Sequence, residues 1–155
     1  MDDTNVDTAV RLAIMDSCVG GATPSVGAVA STLGADRAAV EAAFDRLAAG
    51  RAIVLTPGTR DIRMAAPFAG APTDFRVKVG DRSYYANCIW DAVGIPAMLT
   101  GAGRPADARI ETQCPDCSAP LGLAVNAGSL TTDVPGAVAH FAVPAARWWA
   151  DIVFT

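Results

Sequence analysis

Val6, Val10, Ile14 and Cys18 recur every four residues, and Gly20-Gly21 follows at once. That spacing puts four side chains on one stripe of an α-helix, and the glycine pair ends it. The same punctuation returns twice. Beyond Pro24, Ser25 predicts the cap of a second helix that runs to Leu33 and stops at Gly34. Asp36 predicts the cap of a third, with Val40, Phe44 and Leu47 at i, i+4 and i+7 and a stop at Gly50. Arg51 to Leu55 and Asp61 to Met64 then read as strands around the turn Thr56-Pro57-Gly58-Thr59. Three helices followed by a hairpin outline a winged-helix-like module over residues 1–66.

Such modules often bind DNA through the third helix, so its polar face matters. That face carries Arg37, Glu41, Asp45 and Arg46, two carboxylates among the cations, and Arg51, Arg60 and Arg63 lie nearby in the hairpin. The whole chain has 12 Lys and Arg against 16 Asp and Glu, a net charge of −4. No basic footprint for a phosphate backbone or an anionic membrane emerges, and a packing or protein-contact role outweighs DNA binding. With 155 residues, 52% of them hydrophobic, the chain can bury one good core or two small ones. The start, Met1-Asp2-Asp3-Thr4, lacks a basic stretch followed by an apolar one, so no signal peptide is expected. No apolar run approaches the ~18 residues that span a bilayer. Four cysteines without an export signal point to a reducing cytoplasm, with thiol chemistry or metal binding ahead of a disulfide framework.

Ala65 to Pro72 is small, proline-rich and glycine-containing, and residues 67–72 read as a linker. Residues 73–155 form the second part. Phe75 to Val79 alternates as a strand, Gly80-Asp81-Arg82 turns it, and Ser83 to Ala86 returns. Ala108 to Thr112, Leu121 to Val125, Ala137 to Phe141 and Asp151 to Phe154 read as further strands. The fold class is therefore α+β, a mostly antiparallel sheet with one short helix behind the helical module.

That helix follows Asn87-Cys88-Ile89-Trp90-Asp91 and is expected to be short because of Gly94 and Pro96. With Asn87 as the cap, Cys88 falls in the first turn and Asp91 lies beside it on the same face. A helix N-terminus favours thiolate, so Cys88 is expected to be more acidic than a free cysteine, with Asp91 in reach as a proton carrier.

Cys114-Pro115-Asp116-Cys117 holds two further thiols at knuckle spacing. A structural zinc site needs four ligands, and the other candidates are Cys18, Cys88 and His140. A lone Cys-x-x-Cys is half a signature. A tight turn with two partly buried thiols weighs more, and a reversible dithiol that holds or transfers metal stays open. Cys18, on the apolar stripe, reads as core. His140 reads as a hydrogen-bonded strand residue, and Trp148 and Trp149 as strand neighbours that divide between core and surface. No Walker loop, Gly-x-Gly-x-x-Gly, Gly-x-Ser-x-Gly or His-Glu-x-x-His occurs.

Tyr84-Tyr85-Ala86-Asn87-Cys88-Ile89-Trp90-Asp91, followed by Ile95-Pro96-Ala97-Met98-Leu99, resembles the first catalytic segment of the organomercurial (alkylmercury) lyases. Ile110-Glu111-Thr112-Gln113-Cys114-Pro115 extends the likeness, and that family also carries an N-terminal winged-helix-like module. The resemblance implies protonolytic cleavage of carbon–mercury bonds. Cys88 would be the thiolate that takes the mercury and Asp91 the group that hands a proton to the leaving carbon, with Cys114 matching a structural cysteine. Ile89 and Trp90 would line the site of the alkyl group or pack as an ordinary helix face. No cofactor is implied. Mercury(II) is substrate and product, small thiols are co-reactants, and the partners are an organomercurial and cellular thiols or a mercury-accepting protein. The family's second catalytic cysteine comes from a late strand that Trp148 to Thr155 resembles, directly after this segment, so a chain truncated at its C-terminus is expected. The alternatives are a non-catalytic relative that binds soft metal through Cys88, Cys114 and Cys117, and a winged-helix regulator that senses a metal or small ligand.

Overall fold

The predicted stripe of the first helix is buried as expected. Val10, Ile14 and Cys18 face inward along α1 (Asp3–Val19), and α1 lies across both α2 (Val26–Leu33) and α3 (Arg37–Ala49). The computed structural model describes residues 3–99 and 106–152. Ser25 caps α2 by accepting from the Ala28 amide at 3.2 Å, and Asp36 caps α3 by accepting from Ala39 at 3.2 Å. Gly34 ends α2 in the left-handed region at φ 58°. Helix α3 stops at Gly50 as expected, though not through a left-handed glycine. Gly50 stays at φ −79°, and Arg51 takes the left-handed position at φ 62°. The amides of Arg51 and Ala52 then close the helix on the carbonyls of Ala48 and Leu47.

Three cations of this module are tied to carboxylates. Arg46 pairs with Asp7 at 2.6 Å, Arg60 with Asp45 at 2.7 Å and Arg37 with Glu41 at 2.9 Å. Two short strands follow, β1 (Val54–Leu55) and β2 (Ile62–Ala65), so the expected strand from Arg51 shrinks to its last two residues. The stretch read as a linker is ordered into the sheet: β3 (Phe68–Ala69) pairs antiparallel with β2, and Phe68 is buried.

The second sheet is antiparallel throughout, with strand order β5-β4-β6-β7-β8. Its members are β4 (Arg76–Val79), β5 (Arg82–Tyr85), β6 (Ala108–Gln113), β7 (Pro120–Asn126) and β8 (Ser129–Thr132). Helix α4 (Ile89–Met98) packs on β4 and β6, where Ala92 and Ile95 meet a core that includes Val77 and Ile110. A bridge between Phe68 and Ala86 joins the two sheets immediately before Cys88. Tyr84 also donates its hydroxyl to the Val19 carbonyl at 3.0 Å, linking β5 to the end of α1. Three helices leading into antiparallel sheets make this an α+β fold. No described helix is long and apolar enough to cross a membrane.

One expected strand is absent among the described residues, and a second is described only in part. Ala137 to Phe141 is irregular and largely exposed, so His140 is an exposed loop residue rather than a strand residue. Its small alternating side chains offer too little apolar surface to hold a sheet position. Trp148 and Trp149 lie in a 3-10 turn, Ala145–Ala150, not in a strand. Asp151 and Ile152 continue irregularly, and the rest of the strand expected to reach Phe154 lies outside the described residues.

Candidate active site

The segment after β5 turns sharply at Ala86 and enters α4 at Cys88, which is itself the N-cap in extended conformation. This corrects the expected cap by one residue. Asn87 precedes the helix and sends its amide group elsewhere, donating to the Asp91 carboxylate at 2.9 Å. The same amide nitrogen lies 3.5 Å from the Phe68 carbonyl, so β3 helps to orient it. Asp91 occupies the third position of the helix, over Cys88, and both residues are half-buried. The chain thus brings a thiol, a carboxyl and the amide that holds the carboxyl into one helix entry.

The electrostatics depart from expectation. Burial pushes the Cys88 thiol above the ordinary cysteine value, where the sequence predicted a more acidic group. The amides of Asp91 and Trp90 favour the thiolate, but the Asp91 charge opposes it and desolvation is the largest contribution. No cap hydrogen bond ties the thiol to the helix. Burial likewise raises Asp91, against the hydrogen bonds from Asn87 that favour its ionised form. Both groups are therefore biased toward their protonated forms.

Trp90, 67% exposed, points away from the core. With Phe141, Val143, Pro144, Ala145 and Trp148 it lines an open apolar groove of about 460 Å³ on the outer side of α4. Phe141 and Trp148 form its floor, their rings 5.4 Å apart, and the Trp148 indole donates to the Val143 carbonyl at 3.0 Å. Ile89 is instead partly buried against the core.

Cys114 and Cys117 lie at the β6–β7 turn, with Cys114 half-buried and Cys117 exposed. The amides of Cys117 and Asp116, followed by the Cys117 side chain, hold the Cys114 thiol below the ordinary cysteine value. Among the described residues no three His, Cys, Asp or Glu side chains gather as a metal site. Cys88, Cys114 and Cys117 therefore do not form one site, and neither His140 nor Cys18 completes a four-ligand zinc site there. Cys18 is core, 2% exposed, and burial raises its thiol to about 11.

A sequence model of the alkylmercury lyases matches residues 68–155, more than half the chain. The chain belongs to the alkylmercury lyase family. A comparison with curated protein sequences finds no match. The crystal structure of the mercury-bound form of MerB2 is similar in fold, with a TM-score of 0.61 at 19% identity, covering 84% of this chain and 68% of that one. The matched alkylmercury lyase region begins at Phe68, the residue that braces Asn87, and contains Cys88 and Asp91.

Two features lie beyond what the sequence predicts. The i, i+4 spacing of Asn87 to Asp91 is the visible signal for their side-chain pair, which the cap expectation passes over. The aromatic groove has no such signal, because strands at Phe141 and Trp148 would not bring the two rings together beside Trp90.

Proposed function

We propose that this alkylmercury lyase family member cleaves carbon–mercury bonds by protonolysis, using Cys88 as the mercury ligand and Asp91 as the proton donor. The observation that carries the reading is the pair itself: a thiol at the N-cap of α4 and, one turn on, a half-buried carboxyl biased toward its protonated form. Mercury(II) is soft and prefers thiolate. An organomercurial arriving as its small-thiol complex exchanges that thiolate for Cys88, whose proton leaves with the departing thiol. A second small thiol from solution adds its thiolate to the mercury, and electron density shifts onto the bound carbon. Asp91 then transfers its proton to that carbon as the carbon–mercury bond breaks. The hydrocarbon leaves, mercury stays at the +2 state between two sulfurs, and Asp91 recovers a proton from water.

The test is hydrocarbon release from an alkylmercury compound in the presence of excess small thiol, measured by gas chromatography. Release is expected from the native chain and is expected to vanish in Cys88→Ser. Asp91→Asn is expected to bind mercury while losing release. Undiminished release from either variant overturns the assignment.

A further inference from the structure

The turn between β6 and β7 carries chemistry that the reaction above does not use. Cys114 follows the last residue of β6, and Pro115, Asp116 and Cys117 reverse the chain before Pro120 opens β7. The turn is tightly closed. The Cys114 amide donates to the Ala119 carbonyl at 2.8 Å, and the Ser118 amide donates to the Cys114 carbonyl at 2.8 Å. Pro115 fixes one backbone angle, and Ser118 takes a left-handed conformation at φ 57° to complete the reversal. The backbone of Asp116 and Cys117 and the Cys117 side chain hold the Cys114 thiol below the ordinary cysteine value. The two cysteines therefore flank one braced turn, with Cys117 open to solvent.

The ligand count selects the ion. Zinc in a structural site takes four protein ligands, and no third His, Cys, Asp or Glu joins this pair among the described residues. A hard cation finds no set of oxygens. Two thiolates alone satisfy a soft ion that accepts two ligands in line, a class that holds mercury(II) and copper(I), and of these the alkylmercury lyase family handles mercury. We propose that Cys114 and Cys117 form a second thiol site, distinct from Cys88, that holds mercury(II) between their two sulfurs. Loading from a mercury bis-thiolate releases two small thiols, each carrying one proton from a cysteine, while two sulfur–mercury bonds break and two form. Nothing is oxidised or reduced. The site stands without the lyase reading, because its ligands and geometry are independent of Cys88.

The experiment uses the full chain with Cys88→Ser, kept reduced and equilibrated with mercuric chloride in excess monothiol, then desalted and assayed for mercury per chain. One retained mercury is expected. Adding Cys117→Ser, an exposed change that leaves the fold intact by circular dichroism, is expected to weaken retention on the order of a hundredfold through loss of the intramolecular second thiolate. Cys114→Ser is expected to do the same. Unchanged retention in both variants overturns the proposal, as does equal retention of zinc(II) under these conditions. In the chain with Cys88 intact, Cys117→Ser is expected to leave hydrocarbon release unaltered; its abolition would place the pair in the reaction centre and overturn a separate site.

Discussion

The hydrogen bond from Asn87 to Asp91 makes a measurable claim about how the site is held. Asn87→Ala removes a donor 2.9 Å from a half-buried carboxylate. Hydrogen bonds to charged groups contribute about 1.5–3 kcal/mol net, and partial solvent access argues for the lower end, about 1.5 kcal/mol. The longer approach to the Phe68 carbonyl, 3.5 Å, adds little and is removed by the design of the measurement. That design is a double-mutant cycle: urea unfolding at neutral pH of the native chain, Asn87→Ala, Asp91→Ala and the double variant. The expected coupling is about 1.5 kcal/mol, stabilising. It carries a pH signature with a definite sign. Asp91 sits above its ordinary value of 3.8 in the folded chain, so its contribution to stability is complete below that value and is lost as pH rises through the folded one. Asn87 offsets part of that loss by bonding the ionised form, so the coupling is expected to shrink as the pH is lowered and Asp91 takes up its proton. A coupling under about 0.5 kcal/mol at neutral pH, or one that grows on acidification, refutes the claim that Asn87 favours the ionised form of Asp91.

Three further outcomes follow from other parts of the fold. Gly70→Ala is expected to be strongly destabilising by thermal melting, because a β-carbon there collides with the Ile62 carbonyl, which is backbone and cannot swing aside. Ile110→Ala, at a fully buried position on β6 facing Val77 of β4, is expected to cost about 2–5 kcal/mol in urea unfolding. Alkylation with iodoacetamide at stepped pH, read by peptide mass mapping, is expected to label Cys114 at lower pH than Cys88, with Cys18 last because burial raises its thiol to about 11.

The helical half was legible because its information is local. Ser25, Asp36 and Gly34 act on amides and dihedral angles within a turn of themselves, and the Val10, Ile14 and Cys18 stripe needs only its own period. The end of α3 shows the limit of such cues, since Arg51 rather than Gly50 takes the left-handed angle while its guanidinium lies 5.5 Å from the Trp149 ring. β8 had no apolar alternation to announce it. It exists because Ala127 and Gly128, at φ 49° and 82°, make a two-residue hairpin loop that returns Ser129–Thr132 onto β7. Ala137 to Phe141 erred the other way, with alternation but no neighbouring strand to pair with. Of the site, Cys88 and Asp91 were legible as spacing. Their surroundings were not, because burial by Phe68, β4 and β6 is a property of distant segments brought together.

That burial runs against the acidity expected of Cys88 and gives the site a better chemical sense. An exposed helix N-terminus favours anions, so thiol and carboxyl would both tend to lose their protons there. Such an Asp91 would have no proton to give. In the folded chain desolvation outweighs the helix end for both groups, and each is biased toward its protonated form. The proposed reaction needs opposite fates for the two protons. Cys88 must lose its own when mercury binds, and metal coordination itself drives that loss, whatever the thiol's resting acidity. Asp91 has no metal to drive it and must keep its proton until a carbon can accept it. Burial at the entry of α4 works toward the second need by raising Asp91, while mercury meets the first. The half-buried acid, more than an acidic thiol, is what fits this helix entry to protonolysis.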